Sequence, residues 1–358
     1  MVNWAARMRH IVFRPNRLRR LRSLLRYYKA QRQNARAATE MENGNSSPSC
    51  RPSYLILDPG AVCNLRCPFC ATGSGTGTLN REMLLPEAFR QIVQHLPMDS
   101  LFEVSLFNWG EPLLNPHITN YIEYFVQRGI RVVVHTNFSA RDYDELFLEN
   151  LIRSGLTHLI ASVDGATQAN YEKYRVGGNI QRVHENLALL AQTRNRLRSE
   201  TPQITYKMLL NRYNQGEVDQ ARYIAHDLGV DFLLQEQFWV PPEAREEWIA
   251  DSVRNAERKS ATVDKATTSS APVKTECFQL WNTLVVNANG DVLPCCLACT
   301  NESVVGNLVR EPFEAIWNNN KMVYLRKYAL DATLPPPDFP NCCAHCSFRY
   351  CTYNATPN

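Results

Sequence analysis

The stretch Cys63-Asn-Leu-Arg-Cys67-Pro-Phe-Cys70 follows directly after a short apolar run, Tyr54-Leu-Ile-Leu-Asp58. Three thiolates at this CxxxCxxC spacing can bind three irons of a 4Fe-4S cube and leave the fourth iron open for a small ligand. A structural zinc site takes four protein ligands, usually in CxxC pairs, so a lone triplet fits zinc poorly. The stretch therefore predicts an iron–sulfur loop at the end of a β-strand.

The other cysteines are clustered as well. The chain has 358 residues and 12 cysteines, which form the groups Cys63, Cys67, Cys70; Cys277, Cys295, Cys296, Cys299; and Cys342, Cys343, Cys346, Cys351, with Cys50 by itself. We expect neither a membrane span nor a secretory signal, because no apolar run is long enough for the first and the N-terminus lacks the features of the second. The expected location is the reducing cytoplasm, with peripheral membrane contact as an alternative, and clustered cysteines there indicate metal or iron–sulfur ligands.

Apolar runs of strand type alternate with segments of helical period from Tyr54 to Leu234. Six strands joined by helices predict an α/β fold, a partial (β/α)6 TIM-like barrel of parallel strands with a small cysteine-rich C-terminal auxiliary-cluster domain. The predicted divisions are a basic extension and linker over residues 1–53, the barrel over 54–240, a linker over 241–276 and the cysteine-rich domain over 277–358. A hairpin is expected from Thr283 to Pro294, turned at Asn289-Gly290-Asp291.

Motifs at the ends of the predicted strands resemble those of the radical SAM superfamily, in which CxxxCxxC holds a 4Fe-4S cluster that binds S-adenosylmethionine. Gly110-Glu111-Pro112 follows the second strand, although Trp109 replaces the first glycine of the family's GGE motif. By this resemblance, the residues expected to contact the cofactor are Phe69 beside the adenine, Gly110 and Glu111 near the methionine amino group, Asn137, Ser162 and Asp164 around the ribose and methionine, and Arg175 on the carboxylate.

The C-terminal cysteines resemble the start of SPASM and twitch domains, which hold auxiliary iron–sulfur clusters. Twelve residues separate Cys277 from Gly290, and four separate Gly290 from Cys295. The resemblance implies one auxiliary 4Fe-4S cluster bound by Cys277, Cys295, Cys343 and Cys346, with Cys351 as the rival ligand. Two auxiliary clusters and a structural zinc knuckle remain as alternatives.

The resemblance implies an enzyme that reductively cleaves S-adenosylmethionine to a 5'-deoxyadenosyl radical, which abstracts hydrogen from a substrate. With an auxiliary cluster as electron acceptor, we expect a net oxidation, either dehydrogenation or a crosslink, of a small polyol, a sugar or a peptide. The alternatives are a redox-neutral epimerase or isomerase and a non-catalytic iron–sulfur carrier or sensor. Glu236, after the sixth strand, is the candidate catalytic residue, while Tyr206, Lys207 and Asn211 are weaker candidates. A flavodoxin-like or ferredoxin-like protein is the expected electron donor.

The N-terminus is strongly basic. Residues 1–39 contain eleven Arg and Lys and no acidic residue, whereas the remaining residues carry 28 bases against 35 acids. Leu18, Leu21, Leu24, Leu25 and Tyr28 recur at helical spacing among the arginines. Such a helix could lie on an anionic membrane surface or an acidic partner, or pack against its own domain. No nucleic-acid-binding motif accompanies it, so no nucleic-acid partner is expected.

Counting iron tests this set of ligands. Protein reconstituted under anaerobic conditions should contain about eight irons per chain, and replacing Cys63, Cys67 and Cys70 by alanine should leave about four. About four irons in the unaltered chain would contradict an auxiliary cluster, and about twelve would indicate two.

Overall fold

The computed structural model describes residues 17–236, 238–256, 277–331 and 333–335. Within these residues the sheet contains nine strands in the order β6-β5-β4-β3-β2-β1-β7-β8-β9. The first six strands are all parallel and are β1 (Tyr54–Leu57), β2 (Glu103–Ser105), β3 (Arg131–Thr136), β4 (His158–Ser162), β5 (Gln203–Leu209) and β6 (Asp231–Gln235). The predicted partial barrel of alternating strands and helices is confirmed.

Helices connect and follow the strands, and the longer helices between barrel strands pack on the outer face of the sheet. The described helices are α1 (Arg17–Glu42), α2 (Ala71–Ser74), α3 (Pro86–His95), α4 (Ile118–Val126), α5 (Glu145–Arg153), α6 (Gln168–Tyr174), α7 (Ile180–Arg196), α8 (Val218–Asp227), α9 (Arg245–Trp248), α10 (Gln279–Asn282), α11 (Phe313–Trp317) and α12 (Asn320–Leu330). The side chains of Asp144, Thr167 and Asn179 cap the first turns of α5, α6 and α7. Such caps satisfy backbone N–H groups that a helix leaves unpaired at its start.

Side chains that alternate in direction along each strand give the barrel sheet an outer and an inner face. Val132, Val134, Ile204 and Tyr206 point toward the helices and belong to the main hydrophobic core. The intervening residues therefore point to the inner face of the barrel, because successive side chains of a strand lie on opposite sides. This inner face carries the polar side chains that the site uses.

The C-terminal strands continue the same sheet. β7 (Thr283–Val286) pairs in parallel with β1, and β8 (Asp291–Leu293) and β9 (Gly306–Asn307) extend it with antiparallel pairing. Gly290 has a φ of 86° in the β7–β8 turn, a left-handed conformation that glycine adopts without steric cost. The predicted hairpin is present, and it forms an extension of the barrel sheet.

The segment predicted as a linker before Ser53 is packed onto the C-terminal helices. Trp281 Nε1 donates to the Asn45 carbonyl at 2.9 Å, and Trp317 Nε1 donates to the Cys50 carbonyl at 2.9 Å. Its polar composition suggested an exposed connection, but its carbonyl groups bind tryptophans more than 200 positions away in the sequence. The predicted linker 241–276 is described only up to residue 256, and Trp248 within it is buried.

Trp281 should be a major contributor to stability, because it is fully buried and its indole nitrogen is hydrogen-bonded. Trp281→Ala should lower the free energy of unfolding by about 3–5 kcal/mol, measured by denaturant titration. The matched control is Trp239→Ala at a tryptophan that is 41% exposed, for which we expect a loss below about 1 kcal/mol. Equal losses for the two variants would contradict this packing.

Candidate active site

The cysteine triplet lies in the loop that follows β1, at the carboxyl edge of the sheet. Cys67 is buried, whereas Cys63 and Cys70 are half-buried. The loop turns tightly into α2, and a Cβ atom at Gly73 would lie 2.5 Å from the Cys67 nitrogen. Only glycine permits this close approach of two backbone segments, which helps fix the positions of the three thiols.

Hydrogen-bond donors surround two of the sulfurs. The Leu65 nitrogen lies 3.4 Å from Cys63 Sγ, and Asn137 Nδ2 lies 3.6 Å from the same sulfur. Arg175 Nη1 lies 3.8 Å from Cys67 Sγ. Burial raises the pKa of the Cys63 thiol to about 12, so this site favours the neutral thiol until a metal replaces the proton. The nearby donors then stabilise the thiolates that ligate a cluster.

The loop after β2 packs directly onto the loop after β1. A Cβ atom at Gly110 would lie 1.6 Å from the Gly60 carbonyl oxygen, so no other residue fits at position 110. The Glu111 nitrogen donates to the Val62 carbonyl at 2.9 Å. The predicted Gly110-Glu111 motif is therefore held against the cysteine loop.

The carboxylate of Glu111 is buried and bound by the protein itself. It accepts hydrogen bonds from Thr136 Oγ1 and the Asn137 nitrogen, both at 2.6 Å, and from the Leu113 nitrogen at 3.0 Å. Burial raises the pKa of Glu111 although these hydrogen bonds oppose the shift. The side chain thus fixes the end of β3, and its predicted contact with the cofactor remains a prediction.

Asn137 is positioned close to the first cysteine. Its Nδ2 donates to Asn64 Oδ1 at 2.9 Å, while its Oδ1 accepts from the Ser139 nitrogen at 2.8 Å. Ser162 ends β4 on the inner face, directly opposite Lys207 of β5 in the strand register. The structure brings these predicted residues to the same edge as the cysteine loop.

Asp164 and Arg175 form a buried ion pair beside Cys67. Arg175 Nε lies 2.6 Å from Asp164 Oδ2, and Asp164 Oδ1 accepts from the Leu209 nitrogen at 2.7 Å. Burial opposes the charge of Arg175, but the Asp164 carboxylate together with Cys67, Tyr174 and Tyr171 holds the pKa of Arg175 well above its ordinary value. A permanent positive charge therefore lies next to the cluster loop.

Aromatic side chains cover the outer part of the cysteine loop. The Phe69 ring lies 5.0 Å from Trp248 and 6.1 Å from Tyr174, measured between ring centroids. The sequence predicted Phe69 but missed Trp248, which belongs to the short helix α9 beyond the last barrel strand. The only sequence signal for Trp248 is the helical segment after β6, and the apolar pattern of that segment is weak.

The inner face of the barrel carries two basic side chains near this edge. Tyr206 points outward and donates to the Gly165 carbonyl at 2.6 Å, so its neighbour Lys207 points inward. His135 also points inward and stacks on Phe107 with a centroid distance of 3.9 Å. Burial lowers the pKa of both Lys207 and His135. Among the described residues, the Lys207 ammonium has no hydrogen-bond or ion-pair partner.

The remaining candidates lie elsewhere. Glu236 is exposed just after β6, and Gln237 beside it lies outside the described residues. Asn211 is fully buried, and its side chain supports the turn to Asn214. The catalytic role of Glu236 stays a prediction, and Lys207 is the candidate of β5 whose side chain points to the inner face.

The predicted auxiliary-cluster cysteines that the structure describes lie around Gln279, at the start of α10. Cys295 is buried, and its thiol donates to Gln279 Oε1 at 3.2 Å. Gln279 Nε2 donates to Cys296 Sγ at 3.5 Å, and Cys277 is half-buried just before this helix. The predicted ligands Cys343 and Cys346, and their rival Cys351, lie outside the described residues.

Trp109 joins the two cysteine regions. Its backbone nitrogen donates to the buried Asp58 carboxylate at 2.9 Å, and its Nε1 donates to the Ala298 carbonyl at 2.9 Å. Close by, the Thr78 nitrogen donates to the Cys299 carbonyl at 3.0 Å. The residue that departs from the GGE motif thus connects the barrel edge to the loop that carries Cys295.

Comparisons with known proteins show which families this chain resembles. Residues 57–198 match the family model of the radical SAM superfamily, and residues 277–347 match SPASM, an iron–sulfur cluster-binding domain. Among curated proteins, an AdoMet-dependent heme synthase of Methanosarcina barkeri (strain Fusaro / DSM 804) is 23% identical over 195 residues, which cover 54% of this chain and 52% of the relative. A GTP 3',8-cyclase of Lactiplantibacillus plantarum (strain ATCC BAA-793 / NCIMB 8826 / WCFS1) is 27% identical over 144 residues, or 39% of this chain and 42% of the relative. The chain thus spans about half the length of the curated relatives it matches.

Solved structures share the fold at low sequence identity. Streptococcus suis SuiB bound to S-adenosylmethionine matches with a TM-score of 0.58 at 14% identity. The match covers 77% of this chain and 68% of the SuiB chain. Native anSMEcpe with bound AdoMet matches with a TM-score of 0.54 at 14% identity, over 78% of this chain and 84% of the anSMEcpe chain. Both proteins combine the barrel with bound S-adenosylmethionine.

The donor set of the cysteine loop fits an iron–sulfur cluster. In the part of the chain that the structure describes, no three cysteine, histidine or carboxylate side chains converge as ligands of one metal ion. A 4Fe-4S cube binds each thiolate to a different iron, so its ligands stand apart around a volume. Cys63, Cys67 and Cys70, with donors directed at two of the sulfurs, fit such a group.

The Asp164–Arg175 pair gives a test of the site. Arg175→Met should lower stability by about 3–5 kcal/mol, because it leaves the Asp164 carboxylate buried and unpaired. Asp164→Asn in the same chain should recover much of this loss without restoring affinity for S-adenosylmethionine, since the positive charge is still missing. Unfolding curves and equilibrium dialysis measure the two effects. Unchanged cofactor affinity in both variants would show that Arg175 is only structural.

Proposed function

Since this chain belongs to the radical SAM superfamily and carries a SPASM iron–sulfur cluster-binding domain, we propose that it is a radical SAM oxidoreductase. The proposed reaction is the dehydrogenation or crosslinking of a small polyol, a sugar or a peptide. Bound together, the 4Fe-4S cluster and S-adenosylmethionine supply a 5'-deoxyadenosyl radical that takes a hydrogen atom from carbon. The protein has to hold the reacting carbon in place and exclude water.

The observation that carries this proposal is the contact between the two cysteine regions. Trp109 and Thr78, both on the barrel side, hydrogen-bond to the carbonyls of Ala298 and Cys299. A net oxidation requires an electron acceptor near the site, and an auxiliary cluster on Cys277 and Cys295 would lie beside it. The SPASM match extends through Cys346 and ends before Cys351, which supports Cys343 and Cys346 as the other two ligands.

The inner face of the barrel is the proposed substrate site. Lys207 and His135 lie near Ser162 at the edge that carries the cysteine loop. Because Asp164 is paired with Arg175, and Glu111 with backbone and hydroxyl groups, the Lys207 ammonium can bind an acidic or polar group of the substrate. SuiB and anSMEcpe have each been captured with a peptide, which supports a peptide as one substrate class.

Electrons must also reach the first cluster. We propose a flavodoxin-like or ferredoxin-like protein as the physiological donor, because the superfamily cleaves S-adenosylmethionine reductively. Dithionite replaces this donor in the assays that follow.

Single cysteine substitutions separate the roles of the two clusters. Cys67→Ala should abolish formation of 5'-deoxyadenosine under dithionite, because the loop loses one of its three ligands. Cys295→Ala should remove about four irons and spare cofactor cleavage, but it should stop product formation when substrate is supplied.

Cys50→Ala is the matched control for both variants. Cys50 is a buried cysteine whose thiol donates to the Trp281 carbonyl, and it belongs to neither ligand set. Its replacement should leave iron content and cofactor cleavage unchanged. Cofactor cleavage by Cys67→Ala would disprove the triplet assignment, and full turnover by Cys295→Ala would favour a redox-neutral reaction with a structural auxiliary cluster.

A further inference from the structure

The outward face of α1 carries an apolar stripe. Leu21, Leu24, Leu25 and Tyr28 are 53%, 47%, 60% and 58% exposed. Their spacing of three and four residues places them on one side of the helix, over a length of about 10 Å. Four large apolar side chains in one contiguous stripe differ from scattered exposed residues, which are normal on soluble proteins.

The opposite face of α1 is fastened to the barrel, which fixes the direction of the stripe. Arg26 Nη1 donates to the carbonyls of Met98 and Leu101, both at 2.7 Å, and its Nε donates to the Arg128 carbonyl at 2.9 Å. Ala30 and Ala37 are buried on this same inner face. The helix therefore cannot rotate its leucines inward without breaking three hydrogen bonds.

The charged side chains that α1 itself carries near the stripe are all positive, and one of them, Lys29, is paired with Asp99 of the barrel at 3.2 Å. Arg22, beside the first leucine of the stripe, and Arg32, one turn beyond its last residue, are exposed, and residues 1–39 contain no acidic residue. A second copy of this chain would bring the same positive charges together, which opposes self-association through this face. An apolar stripe flanked by arginines instead matches a surface that is negative outside and apolar beneath.

We propose that α1 binds the surface of a bilayer containing anionic phospholipids, with the stripe inserted among the acyl chains and the arginines on the headgroups. Each basic residue near such a surface increases the affinity about five-fold. Among the helices that the structure describes, none combines the length and hydropathy needed to cross a bilayer.

This attachment orients the active site. The carbonyls that hold Arg26 belong to the segments leading into β2 and β3, at the amino edge of the parallel sheet. The cysteine triplet lies at the carboxyl edge. With α1 on the bilayer, the site faces the aqueous side, so the substrate arrives from solution.

Vesicle co-sedimentation of the full, reconstituted chain tests the proposal. The protein should bind vesicles of phosphatidylcholine mixed with phosphatidylglycerol at least about ten-fold more tightly than phosphatidylcholine alone, and added salt should weaken the binding. Combined Leu21→Ser, Leu24→Ser, Leu25→Ser and Tyr28→Ser substitutions should reduce the affinity at least about ten-fold. Combined Arg22→Gln and Arg32→Gln substitutions should also weaken it and should reduce its salt dependence.

The control variant removes exposed apolar side chains from elsewhere. Leu146→Ser and Tyr223→Ser alter residues of α5 and α8 that are each 70% exposed, and they should leave vesicle binding unchanged. Thermal unfolding of every variant checks that the fold is retained.

Three results would overturn the proposal. One is equal binding by the stripe variant and the unaltered chain. Another is no vesicle binding by the unaltered chain, as expected if an acidic protein or another segment of the chain covers the stripe. The third is a dimer in solution that the stripe substitutions dissociate, which would assign this face to a second copy.

Discussion

Buried carboxylates at the ends of the strands determine the geometry of the site. Asp58 accepts a hydrogen bond from the Trp109 nitrogen, Glu111 accepts one from the Asn137 nitrogen, and Asp164 accepts one from the Leu209 nitrogen. Each carboxylate thus joins the end of one strand to a backbone segment at another. A buried carboxylate without such partners costs several kcal/mol, so these links hold the loops in a single arrangement. The cysteine loop, the aromatic cover and the inner basic residues all depend on it.

The central position of β1 makes this arrangement possible. β1 pairs with β2 on one side and with β7 on the other, so Tyr54 lies opposite both Glu103 and Thr283. The loop after β1 therefore adjoins the second motif loop and the auxiliary cysteine region at once. The Trp109 indole nitrogen connects the two regions by donating to the Ala298 carbonyl. The departure from the family motif has a structural role in connecting two parts of the site.

The two ends of the barrel carry different groups of residues. The carboxyl edge holds the cysteines, the buried carboxylates and the polar inner face, whereas the amino edge is covered by the basic helix α1. The proposed reaction and the proposed membrane contact therefore lie at opposite edges of the sheet. A contact at one edge leaves the other accessible to substrate and to an electron donor.

The sequence by itself determined the order of strands and helices, the iron–sulfur loop and most of the residues near it. These features are local, since hydrophobic period and motif spacing are visible in short windows of sequence. Tertiary structure decided that β7 joins β1, that the segment before Ser53 packs on Trp281 and Trp317, and that Lys207 lies on the inner face of the barrel. It also decided that the Glu111 carboxylate is bound by the chain itself. Such contacts join residues far apart in sequence, and their free energy depends on burial and geometry that arise only when the strands pair.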